Sequence, residues 1–182
     1  MPANLRYAGI KPNDTVDGVG ITVSFWVQSC PHRCRGCHNP DTWSEDGGML
    51  LPENYVEHII ELLTKNGIKR NLSILGGEPM YKNNLLIVNN LVKVVSERLP
   101  DIKIFLWTGY TYEELLARTD ASTHSILRNI DILIDGKFDL AHRDITLWLK
   151  GSPNQRVIDV QQSRLHNKII LLNQDGSHEE YH

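Results

Sequence analysis

An incomplete TIM-like barrel of about six parallel βα units is the fold this sequence predicts, and three observations carry it. Strand-like and helix-like segments alternate along most of the chain, which argues for βαβ units with right-handed crossovers. The 182 residues fall short of the roughly 250 that a complete eight-unit barrel takes, and at about 30 residues per unit they provide about six. Three chemically distinctive turns follow predicted strands, at the sheet edge where parallel α/β folds collect their sites.

The elements can be justified in order. Residues up to Gly20 are rich in turn formers, including Lys11-Pro12-Asn13-Asp14 and Asp17-Gly18-Val19-Gly20, and read as a loop feeding a strand. Ile21 to Gln28 is β-branched and aromatic and is the first strand. A helix is predicted from Pro52 to Asn66: Pro52 suits a first helical turn, Val56, Ile59, Ile60 and Leu63 share one face, and Gly67 is a natural stop. Asn71 to Leu75 is the second strand. Asn84 to Leu99 is the next helix, with Leu85, Val88, Val92, Val95 and Leu99 in one stripe and Pro100 beyond it. Ile102 to Trp107 is the third strand. Thr111-Tyr112-Glu113-Glu114 has the form of a capping box opening a helix to about Arg118. Residues 120 to 130 read as a loop with a short helix, and Asp131 to Ile134 is the fourth strand. Further strand candidates are Ile145 to Leu149, Arg156 to Val160 and Lys168 to Leu172, with a short helix at Gln161 to Leu165. One domain over residues 1–172 is expected, followed by a frayed polar tail, 173–182.

Composition narrows the function. With 41% hydrophobic and 23% charged residues, the chain reads as a globular protein and not a disordered or fibrous one. A net charge of −3 argues against generalised nucleic-acid binding. No apolar run reaches the roughly 18 residues of a membrane span, and the N-terminus lacks the apolar core of a signal peptide, so a cytoplasmic location is expected.

All three cysteines lie in Cys30-Pro31-His32-Arg33-Cys34-Arg35-Gly36-Cys37, just past the first strand. Three clustered cysteines give no even disulfide framework, and such clusters more often bind metal or do redox work. Three soft thiolates on one metal centre, with no fourth cysteine in the chain, leave an open position for a non-protein ligand. Gly76-Gly77-Glu78-Pro79 follows the second strand; its glycines let backbone approach a ligand closely and adopt positive φ. Asp135-Gly136-Lys137 follows the fourth, and in an extended segment Asp135 and Lys137 point to the same side. With parallel strands all three turns face one rim.

The cysteine spacing and the Gly-Gly-Glu-Pro turn resemble the radical S-adenosylmethionine enzymes, and in particular their glycyl-radical-activating branch. Ser24 to Gln28, Cys37 to Trp43, Leu106 to Thr111, Leu133 to Phe138 and Asn154 to Asp159 are similar to the activators of anaerobic ribonucleoside-triphosphate reductase. The resemblance spans roughly residues 4 to 162. It implies a [4Fe–4S] cluster on Cys30, Cys34 and Cys37, with S-adenosylmethionine chelating the fourth iron. Gly76, Gly77 and Glu78 are implied to receive the methionine amino group, and Asp135 and Lys137 to hold the ribose and the methionine carboxylate. The implied activity is reductive cleavage of S-adenosylmethionine to a 5′-deoxyadenosyl radical, which takes a hydrogen atom from a glycine of the partner reductase. Two positions depart from the pattern: Gly36 stands where an aromatic often packs on adenine, and Ser29 where glycine is common. Adenine packing is assigned to His38.

Alternatives stay open on the residues alone. Cys30, Cys34, Cys37 and His38 also suit a Cys3His zinc site in an interaction module, and another glycyl-radical enzyme, such as pyruvate formate-lyase, is the rival partner. His32, Arg33 and Arg35 place positive charge in the cysteine loop, where an acidic electron donor such as a flavodoxin would dock.

Overall fold

The computed structural model describes residues 5–181 and shows one open, mixed, nine-stranded sheet. Residues 1–4 of the expected domain and residue 182 of the expected tail lie outside the described residues. The strands are β1 (Arg6–Asp14), β2 (Thr22–Val27), β3 (Met49–Leu50), β4 (Asn71–Gly76), β5 (Ile104–Trp107), β6 (Ile132–Asp135), β7 (Arg156–Asp159), β8 (Ile170–Leu172) and β9 (His178–Glu180). Across the sheet they run β3-β1-β2-β4-β5-β6-β7-β8-β9. The helices are α1 (Tyr55–Thr64), α2 (Leu85–Arg98), α3 (Tyr112–Leu116), α4 (Ala121–Asn129) and α5 (Val160–His166).

The expected barrel of about six parallel βα units is not formed. Only β2, β4, β5 and β6 run parallel to one another; the five remaining pairings are antiparallel. The connections explain the difference. A parallel neighbour needs a crossover of a dozen or more residues, usually helical, and α1, α2 and the α3–α4 pair provide three. Between β6 and β7 the chain forms only a single 3-10 turn, Leu140–His142, so β7 returns directly beside β6 in the opposite sense. The expected strand at Ile145 to Leu149 is loop. Trp107 Nε1 donates to the Leu149 carbonyl at 2.9 Å, which binds this loop to the sheet. The N-terminal turn-rich segment contains β1, whose pairing with β2 is interrupted by two register shifts; bulges of this kind break the alternation that marks a strand in sequence. The segment read as a frayed tail holds β9, paired antiparallel with β8.

Period-two alternation divides the buried residues between the two faces. Val23, Phe25 and Val27 of β2, Ile74 of β4, Leu106 of β5 and Leu133 of β6 pack with Ile59, Leu63, Leu91, Val95 and Ile126 in one large core. Residues from all five helices lie in or against this cluster, so the helices cover a single face. The intervening residues Phe105, Ile132, Ile134 and Val157 form a second, smaller cluster with Trp107, Trp148, Leu149 and Leu172. Among the described residues no helix is long and apolar enough to cross a membrane.

Candidate functional site

The site lies where β2, β4, β5 and β6 end together. Beyond β2, Gln28 is buried and its side-chain amide donates to the Asp41 and Ser44 carbonyls at 3.0 and 2.8 Å. Ser29 N–H donates to Thr42 O and Cys30 N–H to Trp43 O. The returning segment 39–44 thus closes the base of the cysteine loop. Cys37 N–H donates to Cys34 O at 3.1 Å, and Cys37 Sγ accepts from Asn39 N–H at 3.4 Å.

All three cysteines are free and partly buried. Burial pushes the Cys30 thiol up, opposed by backbone N–H groups of His32 and Arg33, while Glu78 and Cys34 add to the rise. Burial also raises Cys34, helped by the neighbouring Cys37 and opposed by the Phe138 N–H and the Lys137 charge. The three sulfurs therefore act on one another in sequence, Cys30 with Cys34 and Cys34 with Cys37. They are desolvated soft donors whose thiolates a positive metal centre would stabilise. Among the described residues, no three His, Cys, Asp or Glu side chains are gathered closely enough to hold a single metal ion, and His38, the fourth member of the zinc reading, is exposed. Three thiolates spread along one loop fit a polynuclear iron–sulfur cluster, in which each binds a different iron.

The Gly76-Gly77-Glu78 turn is clamped against the exit of β2. Gly77 N–H donates to Val27 O and Glu78 N–H to Ser29 O, both at 2.8 Å. Gly76 has φ +104 and a Cβ there would lie 2.8 Å from Val27 O, while one at Gly77 would lie 2.5 Å from Ser29 O. Only glycine permits this approach. Asn84, just before α2, makes no helix cap; its side-chain amide donates instead to Gln28 O at 2.8 Å and Glu78 O at 2.9 Å, tying the two turns together. The Glu78 carboxylate is buried and accepts from Met80 N–H, Thr108 Oγ1 and Gly109 N–H at 2.7 to 2.8 Å. It joins the end of β4 to the end of β5, so any ligand contact at this turn falls to backbone groups.

Asp135 is likewise committed. Its carboxylate accepts from Tyr112 N–H at 2.7 Å and from Arg156 Nε at 3.0 Å, and Arg156 also pairs with Glu113 through both terminal nitrogens. Hydrogen bonds to Glu113, then to Asp135, outweigh burial and hold the Arg156 guanidinium charged. Two more β7-side residues grip the same turn: Gln155 Nε2 donates to Gly136 O at 2.9 Å and Asn154 Nδ2 to Lys137 O at 2.8 Å. Three consecutive side chains, 154 to 156, thus hold three consecutive residues, 135 to 137. Lys137 is exposed, makes no ion pair among the described residues, and lies close enough to lower the Cys34 thiol.

The structure therefore brings together the cysteines, Gly76, Gly77, Glu78, Asp135 and Lys137. It does not bring in His38, which is exposed and has no hydrogen bond to the other candidates among the described residues. Gly36 has φ +73, a conformation that strains any side chain, and a Cβ there would lie 2.7 Å from a Leu140 methyl carbon, so an aromatic at this position would need Leu140 to move and the backbone to bear strain. His32 turns inward, leaving Arg33 and Arg35 exposed. Sequence reasoning missed Asn84, Thr108 and Arg156 as site residues and read His32 only as part of an exposed docking patch; Asn84 opens a predicted helix, and Thr108 and Arg156 lie at the ends of predicted strands.

Comparison with known proteins places this arrangement. The family model described as a 4Fe-4S single cluster domain matches residues 16–158, a span containing every candidate residue above. A protein of Vibrio cholerae serotype O1 is 41% identical over 152 residues, 83% of this chain and 96% of its own; one of Pasteurella multocida is 39% identical over 152 residues, 83% and 95%; one of Enterobacteria phage T4 is 37% identical over 153 residues, 84% and 93%. Each is named an anaerobic ribonucleoside-triphosphate reductase-activating protein. The chain belongs to that family. The match to the 4Fe-4S domain takes in the cysteine loop, whereas α5, β8 and β9 lie beyond the matched residues.

Proposed function

We propose that this chain is a radical S-adenosylmethionine activase that installs a glycyl radical on an anaerobic ribonucleoside-triphosphate reductase. The observation that carries the reading is the convergence of the cysteine loop with two ligand-competent turns: Gly77 and Glu78 bond to the β2 exit, and Lys137 and Phe138 reach Cys34. Cys30, Cys34 and Cys37 would hold a [4Fe–4S] cluster, backbone at Gly76 and Gly77 would receive the methionine amino group, and the unpaired Lys137 ammonium would take the carboxylate by charge-assisted hydrogen bonds. Asp135 acts through Arg156 to fix the turn that carries Lys137. When bound, the cluster and S-adenosylmethionine would supply one-electron reductive chemistry whose outcome is removal of a hydrogen atom from the glycine Cα of the partner. The protein orients the two ligands and keeps water from the site. An acidic one-electron donor such as a flavodoxin would dock on exposed Arg33 and Arg35 in the cytoplasm.

The test mixes reconstituted protein, reductant, S-adenosylmethionine and the reductase without oxygen, and reads electron paramagnetic resonance. A glycyl radical on the reductase is expected. A radical formed only on pyruvate formate-lyase would refute the partner, and a chain that binds zinc but never about four irons would refute the chemistry. For the donor, Arg33→Glu with Arg35→Glu should slow cluster reduction and flatten its salt dependence; an unchanged rate would remove the docking patch.

A further inference from the structure

The cysteine loop has a polypeptide problem. Pro31, Arg33, Arg35 and Gly36 are exposed, Arg33 and Gly36 have positive φ, and the backbone bonds to the body of the protein lie at Ser29 and Cys30. Such a loop does not by itself fix where its sulfurs stand relative to the Gly76–Glu78 turn. One side chain in it behaves differently. His32 is only 7% exposed in its side chain, and its Nε2 lies 2.9 Å from Glu78 Oε2. The two atoms are in contact without the alignment of a hydrogen bond. The ring packs edge-on against Tyr110 with centroids 4.5 Å apart and lies flush on Gly109, where a Cβ would come within 2.5 Å of a ring carbon.

We propose that His32 is a positioning residue that latches the cysteine loop onto the ends of β4 and β5, and so sets the distance from the thiolates to the Gly76–Glu78 turn. Glu78 is the fixed post: three hydrogen bonds from other residues hold its carboxylate, so His32 moves to it and not the reverse. Tyr110 and Gly109 form the slot, and Arg118 backs the Tyr110 ring at 4.2 Å. A merely structural histidine would stabilise the fold without affecting ligand placement. A latch between the metal loop and the ligand turn has a specific signature, because the same movement separates the two halves of one cofactor site. The proposal rests on the functional reading above for its second half only; the latch itself is a property of the chain.

The experiment uses the full chain with His32→Ala, His32→Gln and Gly109→Ala. The last keeps the imidazole and places a methyl group against it, so the ring is displaced without being removed. In apo protein, hydrogen exchange at the amides of Arg33, Cys34 and Cys37 should rise about ten- to a hundredfold in His32→Ala and Gly109→Ala, with the β-sheet core unchanged. After anaerobic reconstitution all variants should hold about four irons, as Cys30, Cys34 and Cys37 remain. The dissociation constant for S-adenosylmethionine, read from its perturbation of the reduced-cluster spectrum, should rise about tenfold or more in both, with partial recovery in His32→Gln. Unchanged loop exchange would overturn the latch. Faster loop exchange with unaltered S-adenosylmethionine affinity would overturn its positioning role, as would a general loss of stability that His32→Gln does not relieve. If the unsubstituted reconstituted chain fails to bind S-adenosylmethionine, the functional reading fails while the exchange result still decides the latch.

Discussion

Replacing Ser29 by glycine should stabilise the protein. Ser29 sits at the root of the cysteine loop with φ +82, where an L side chain meets its own backbone at a cost of about 1–2 kcal/mol. Its Oγ is buried without a hydrogen-bond partner, which adds about 1–3 kcal/mol. Glycine removes both and loses about 0.5–1 kcal/mol through the greater freedom of its unfolded chain. The net gain is about 1–4.5 kcal/mol, or roughly 2–18 °C in Tm for a chain of this size. Ser29→Ala separates the contributions: it deletes the hydroxyl but keeps the Cβ, so it recovers only the second. Urea unfolding of the reduced apo protein, followed by far-ultraviolet circular dichroism, measures all three. The reasoning fails if Ser29→Gly is no more stable than the parent, and its backbone part fails if Ser29→Ala gains as much as Ser29→Gly.

Two further outcomes follow from charges away from the cysteines. Burial, then the hydrogen bond and charge of Asp14, pushes the Asp17 carboxyl up to about 6; the folded chain holds that proton more tightly than the unfolded one, so this contribution is full below about pH 4 and is lost as pH rises through 6, by at most ~3 kcal/mol. Burial raises the Asp14 carboxyl, but hydrogen bonds from Val16 N–H, Asp17 and Ser24 with the Lys11 charge together outweigh it and hold the group at about 2, so its contribution is instead lost as pH falls through 2. Apo stability should therefore decline between pH 4 and 6.5, and Asp17→Asn should flatten that slope; an identical slope in the variant would exclude Asp17 as its source. Removing the Arg156 cation by Arg156→Met leaves the Asp135 carboxylate buried and unpaired, which should destabilise by about 3–5 kcal/mol in urea titrations, and Asp135→Asn added to it should restore part of the loss. A double variant no more stable than Arg156→Met alone would show that the pair is not what holds the turn.

Much of the site was legible in the sequence because it is local. Cys30, Cys34 and Cys37 are read by spacing, and the Gly76-Gly77 turn by residues that tolerate close approach. The parallel stretch from β2 to β6 was legible too, since α1 and α2 have long, regular apolar stripes. The flanks were not. β1 contains Gly9 and Pro12 and pairs through two bulges, which erase the alternation on which strand recognition depends. The sense of β7 depends on the absence of a crossover helix, and the apolar run Ile145 to Leu149 imitated a strand because it packs its Trp148 and Leu149 onto the sheet as loop. Residues such as His32 and Asn84 escaped for another reason: their partners, Glu78 and the Gln28 carbonyl, are 46 and 56 positions away, and only the folded sheet brings them together.

The grip of Asn154, Gln155 and Arg156 on residues 135 to 137 gives this chain a form of modularity. In an antiparallel pair a slip of one residue turns every side chain to the opposite face, so the three bonds and the β6–β7 ladder stand or fall as one register. Once that register is locked at its base and residues 147 to 152 are packed against the sheet, the mostly exposed stretch from 140 to 146 can change length and sequence without displacing the Lys137 backbone. That stretch borders the cysteine loop through Leu140, and it is therefore the place where descendants of this chain can vary the face they present to a protein substrate while inheriting the cofactor wall intact.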